Sequence, residues 1–160
     1  MNRKIKIILF ILLIGLHILS LRYGSILKFN LDLLYLILVY IAVKSRFLKT
    51  IFTAAAIGLI TDYFSMQVMG VFGFSRTISG YLLNQISIHI DLKNNMLSFL
   101  LISVSLFISN LIANLFFHFI LGFPFQLNLI IYQPLFTGLV GVLINGTKKA
   151  KQYLDVYWKT

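Results

Sequence analysis

The residues of this 160-residue chain able to do chemistry are four aspartates, three histidines and many regularly spaced Asn, Gln, Ser and Thr. Asp32, Asp62, Asp91 and Asp155 are the only acids, because there is no glutamate. Paired carboxylates would support general acid–base work, and His at ligand spacing would hold a metal. Neither pattern is present: the four Asp are scattered, and His17, His89 and His118 each lack a second His at ligand spacing. His118 is the strongest candidate for a proton relay or ligand, since it shares a helical face with other polar residues. With no Cys, disulfides, thiolate metal sites and Cys nucleophiles are excluded. Ser79-Gly80-Tyr81 is too short to carry an intramembrane Ser protease motif, and no Gly-rich phosphate loop follows a strand. These residues point to no enzyme, no cofactor and no metal centre.

The polar residues fall on stripes. Ala54, Gly58 and Asp62 recur every four positions, with Ser65 three further on, a small-residue face that ends in a carboxylate. Arg76, Gly80, Asn84, Ser87 and Asp91 follow helical spacing, as do Ser103, Asn110, Asn114 and His118. At 100° per residue, each of these two sets fits an arc of about 80°. Gln133, Thr137, Gly141 and Asn145 form a fourth stripe. Such faces should turn toward one another, chiefly for helix packing through hydrogen bonds between helices.

The elements that carry these stripes follow from composition. The chain is 59% hydrophobic and 11% charged, with a mean hydropathy of +0.94. A soluble domain carries about 25% charged residues, so a soluble enzyme or nucleic-acid-binding domain is excluded despite the net charge of +10. An all-α integral membrane protein remains, a single domain with the lipid bilayer as its solvent. Six apolar spans are expected, at about 7–21, 27–43, 50–65, 75–90, 96–121 and 127–145. Lys28 and Asp32 lie in the first turns of the second span and can snorkel to the interface only if that end is at the membrane surface. Met66 to Phe74 reads as a short uncharged turn, Gly122-Phe-Pro124 breaks the 54-position uncharged stretch from Asn94 to Thr147, and Pro134 adds a kink.

Basic residues set the direction. The N-terminus, the 44–49 loop, the 91–95 loop and the tail hold eleven, whereas the opposite side holds Arg22 and Lys28. Both termini are therefore expected in the cytoplasm. Asp62 and Arg76 are the two charges placed well inside the membrane. Counted from the inner ends of their spans they lie about 18 and 22 Å up, at 1.5 Å per residue, so an ion pair between them is expected.

Gly58-Leu-Ile-Thr-Asp62-Tyr-Phe-Ser65, then Gly70 and Gly73, then Gly80-Tyr81-Leu82, resembles the signature of the MreD family of rod shape-determining membrane proteins. Met66-Gln-Val-Met69 departs from the Pro-containing turn of that pattern. The resemblance implies a non-enzymatic scaffold of the cell-elongation and peptidoglycan-synthesis machinery in the bacterial inner membrane. It implies MreC as the first partner, with MreB, RodA and a class B penicillin-binding protein as further members. Gly58, Asp62, Gly70, Arg76, Gly80 and Tyr81 are the structural or interaction residues it marks. The implied fold is similar to the substrate-binding S component of energy-coupling-factor vitamin transporters, which supplies the alternative of a transport subunit. Against that alternative, the first span has only Gly15 as a small residue.

Overall fold

The computed structural model describes Gly15 and residues 31–65, 68–88 and 94–144. Within them the chain is helical, with no strand. The expected first span, the loop residues 91–93 and the tail from Asn145 lie outside the described residues, except that Gly15 is helical.

Helix α1 spans Leu33–Lys44, and Asp32 starts it by accepting the Tyr35 N–H on Oδ1 at 2.9 Å. The Asp32 side chain does not lie on the outer face of the bundle: the residue is only 1% exposed. Its N–H donates to Thr137 Oγ1 at 3.2 Å, so α1 begins inside the bundle. Helix α2 is Phe47–Ser65 and starts three residues before the expected third span. Helix α3, Val71–Ser87, starts four residues before the expected Ser75, so the turn ahead of it is shorter than the sequence suggests. Two features of that turn account for the early start. Gly70 adopts φ 101°, a left-handed conformation open mainly to glycine, and Asp62 takes the first free N–H groups of the helix.

Helix α4, Asn95–Leu121, is capped by Asn94, whose side chain accepts the Met96 N–H at 3.0 Å. It ends in an αL cap, with Gly122 left-handed at φ 67° and its N–H donating to the His118 carbonyl at 3.1 Å. Helix α5, Asn128–Ile144, opens with one π-helical turn over Asn128–Tyr132 just before Pro134.

Packing is tightest between α2 and α3. A β-carbon at Gly58 would lie 2.5 Å from both Gly73 Cα and the Phe72 carbonyl oxygen. Both are backbone atoms, so any side chain there would force the two helices apart. One β-carbon at Gly80 would come within 2.9 Å of Ala54 Cβ, which extends the close approach inward along the same two helices. Helix α1 lays Leu34, Tyr35, Leu38 and Ala42, all fully buried, into the centre. Gly141 lets α5 lie against Leu36 of α1 and Ile102 of α4.

The polarity of the bundle is inverted. Asp32, Asp62 and Arg76 are buried, whereas Phe52 and Phe119 are 73% and 79% exposed, and Leu48 and Leu143 also point outward. In water such an outer face would drive aggregation, but in lipid it is the favourable arrangement.

Candidate functional site

The buried charges lie at one level of the bundle. Arg76, one turn into α3, places Nη2 against Asp32 Oδ2 at the start of α1, and the two form a buried ion pair. The expected partner of Arg76 was Asp62, and the structure corrects this. The arginine reaches across to α1, and Asp62 is engaged by main-chain N–H groups instead. The signal for Asp32 was present in the sequence, since an Asp directly before an apolar run is an N-cap pattern.

The pair is neutral overall, which suits a site with little water to screen charge. Its guanidinium carbon lies 5.7 Å from the Phe72 ring centroid and 6.0 Å from that of Tyr35. These faces favour the cation where Nε and Nη1 have no hydrogen-bond acceptor. Asp32 therefore does three things at once. It caps α1, balances Arg76 and, through Thr137, ties in α5.

Asp62 is a main-chain clamp. Its Oδ2 accepts the N–H groups of Gly70 and Gly73 at 2.9 and 3.0 Å, and its Oδ1 accepts that of Phe72 at 2.9 Å. The carboxylate thus sits on the N-terminus of α3, where the helix dipole favours negative charge. Gly58 below it admits the close approach that brings α3 within reach.

Asn84 performs a similar task near the other end of α3. Its Nδ2 donates to the Ala42 carbonyl at 2.7 Å and to the Ser45 carbonyl at 3.2 Å, fixing the end of α1 and the turn into α2. On α4, Asn110 Nδ2 donates to the Leu129 carbonyl at 2.6 Å and to Gln133 Oε1 at 2.9 Å. The physical cause is Pro134. In the π-helical turn the Gln133 N–H is given to the Asn128 carbonyl, so the Leu129 carbonyl would need a donor from Pro134, which has none. The expected kink is therefore a π turn patched by Asn110. Ser103 donates to the Pro134 carbonyl at 3.2 Å, and Asn114 Oδ1 accepts the Gln126 N–H at 3.1 Å.

Among the described residues the four stripes turn inward, with His118 as the exception, and Asp91 and Asn145 lie outside those residues. His118 is exposed near the end of α4, with Nδ1 3.0 Å from the Phe123 carbonyl and its ring 4.6 Å from that of Phe125. Among the described residues no group of three His, Cys, Asp or Glu comes together. Of the six residues marked by the family resemblance, Gly58, Asp62 and Gly70 build the α2–α3 junction, and Gly80 packs on Ala54. Arg76 belongs to the pair with Asp32. Tyr81 stands apart, half exposed, with its ring edge-to-face to Phe47 at 5.5 Å.

A helical bundle that turns its charges inward and its aromatic and aliphatic side chains outward is a membrane-protein architecture. Among the described helices, α2 and α4 are long and apolar enough to cross a bilayer. The family model of the rod shape-determining protein MreD matches residues 2–145, and the chain belongs to that family. It is a rod shape-determining component of the membrane. No curated protein and no solved structure matches the chain.

Proposed function

We propose that this protein is a non-enzymatic scaffold of the cell-elongation machinery, a six-span bundle of the bacterial inner membrane with both termini in the cytoplasm. Its first partner is MreC, and MreB, RodA and a class B penicillin-binding protein complete the assembly. The S-component likeness of the fold belongs to the same proposal. The observation that carries this reading is the family match over residues 2–145. The site chemistry agrees with it. Asp32 and Arg76 are spent on each other and Asp62 on backbone N–H groups, which suits a rigid platform for partners.

Depleting the protein in a rod-shaped host should round the cells while vitamin uptake stays intact. Normal shape with a newly acquired vitamin requirement would reverse the reading in favour of transport. Topology has its own test, made clean by the absence of native Cys. Single cysteines at Ser45 and Thr147 should resist an impermeant thiol reagent in intact cells, and one at Ser25 should react. Labelling at Thr147 but not at Ser25 would remove the six-span arrangement.

A further inference from the structure

The turn from α1 into α2 holds every exposed cation among the described residues. Lys44, Arg46 and Lys49 lie on its surface, whereas Arg76 is buried and so are the carboxylates Asp32 and Asp62. Lys44 is answered in part, because its ammonium lies 3.0 Å from the Tyr40 hydroxyl and 4.5 Å from the centre of that ring. The side chains of Arg46 and Lys49 make no hydrogen bond and no ion pair with any described residue. They stand three positions apart where α2 begins, which keeps their charges within one turn of each other. The Phe47 ring, edge-to-face on Tyr81 of α3 at 5.5 Å, fixes this end of α2 against its neighbour.

Level and surroundings narrow the class of anion. Helix α2 is about 28 Å long at 1.5 Å per residue, close to the ~30 Å core of a bilayer. Arg46 and Lys49 therefore stand at headgroup level at one end of the span. From Lys49 the same exposed face continues through Phe52, Ala56 and Leu59, all open and uncharged. Along one stripe the helix asks first for an anion and then for hydrocarbon. A free phosphate supplies only the anion, and an acidic protein segment brings polar backbone against the apolar part. A zwitterionic phospholipid carries its own cation, which Arg46 and Lys49 would repel.

We propose that the start of α2 seats an anionic phospholipid, with its phosphodiester between Arg46 and Lys49 and an acyl chain along Phe52, Ala56 and Leu59. This goes beyond the scaffold reading and does not depend on which proteins the bundle meets.

The test uses the full chain, purified in mild detergent and given dioleoylphosphatidylglycerol or dioleoylphosphatidylcholine at matched mole fractions. Native mass spectrometry reads the bound lipid. Phosphatidylglycerol should be retained in preference to phosphatidylcholine, and the preference should shrink as salt rises. Arg46→Gln and Lys49→Gln should each cut that retention about fivefold, and the double variant about thirtyfold, the usual worth of basic residues at an anionic surface. Both side chains are exposed, so without added lipid these variants should unfold thermally like the parent. Lys148→Gln with Lys149→Gln removes the same charge from the tail and should leave retention unchanged. Equal retention of the two lipids would overturn the proposal. So would a loss as large from the tail lysines as from Arg46 and Lys49, which would mark a diffuse charge effect. Complete displacement of the lipid by glycerol phosphate or by a short polyglutamate peptide would overturn it as well, making the occupant a soluble anion or an acidic protein segment. None of these outcomes touches the scaffold reading, which stands or falls on the depletion experiment.

Discussion

Arg76→Met will strand the Asp32 carboxylate inside the bundle and lower stability by about 3–5 kcal/mol, the usual cost of removing one partner of a buried ion pair. Asp32→Asn should lose a similar amount, because it leaves the guanidinium without its counter-charge while keeping an oxygen to cap Tyr35. The double variant should be no worse than either single and should regain part of the loss, since no buried charge is then left unpaired. A buried pair of this kind specifies an arrangement more than it adds stability. It fixes the start of α1 against α3, and Thr137 extends the constraint to α5. Folded yield and thermal unfolding in mild detergent give the measurement. Losses that simply sum in the double variant would show that the two residues are uncoupled. The contrast is Asp62→Asn combined with Arg76→Met. Asp62 and Arg76 share only Phe72, whose N–H binds the first and whose ring faces the second, so their coupling should be far smaller than that of Asp32 with Arg76.

Asp62→Ala should be as damaging by a different route. It deletes the acceptor of three N–H groups at the start of α3. Hydrogen bonds to a charged acceptor are worth about 1.5–3 kcal/mol each, and local rehydration recovers part of that, so a net loss of about 3–5 kcal/mol is expected. Asp62→Asn keeps one oxygen and should fall between the wild type and Ala. Hydrogen exchange at Gly70, Phe72 and Gly73 separates this local effect from general unfolding. In Asp62→Asn those amides should exchange faster, while amides in the middle of α4 stay protected. Uniform loss of protection along the chain would mean that the carboxylate supports the whole bundle rather than this junction. Cell shape offers a second readout, because a loosened α2–α3 junction should weaken rescue of rod shape in a depleted host.

Much of this protein is determined by the sequence alone. The apolar runs from Leu33 onward had to become helices, because in lipid each backbone group must find its partner within the segment. The small-residue face of Ala54 and Gly58 announced a close helix contact, and the Asn, Gln and Thr stripes announced inward faces. The Gly58–Leu82 pattern announced the family. Only the tertiary structure decided which groups meet on those faces. Arg76 had two aspartates within reach of its level. The choice of Asp32 over Asp62 depends on how α1 and α3 are rotated about their axes, which every contact along them sets together. Asp62 was legible as a buried carboxylate, but its partners are main-chain N–H groups, and a main-chain donor has no letter in the sequence. The same is true of the Leu129 carbonyl that Asn110 satisfies, which is freed by a proline five positions away. Sequence shows which side chains must be answered within the bilayer, and the packed backbone determines what answers them.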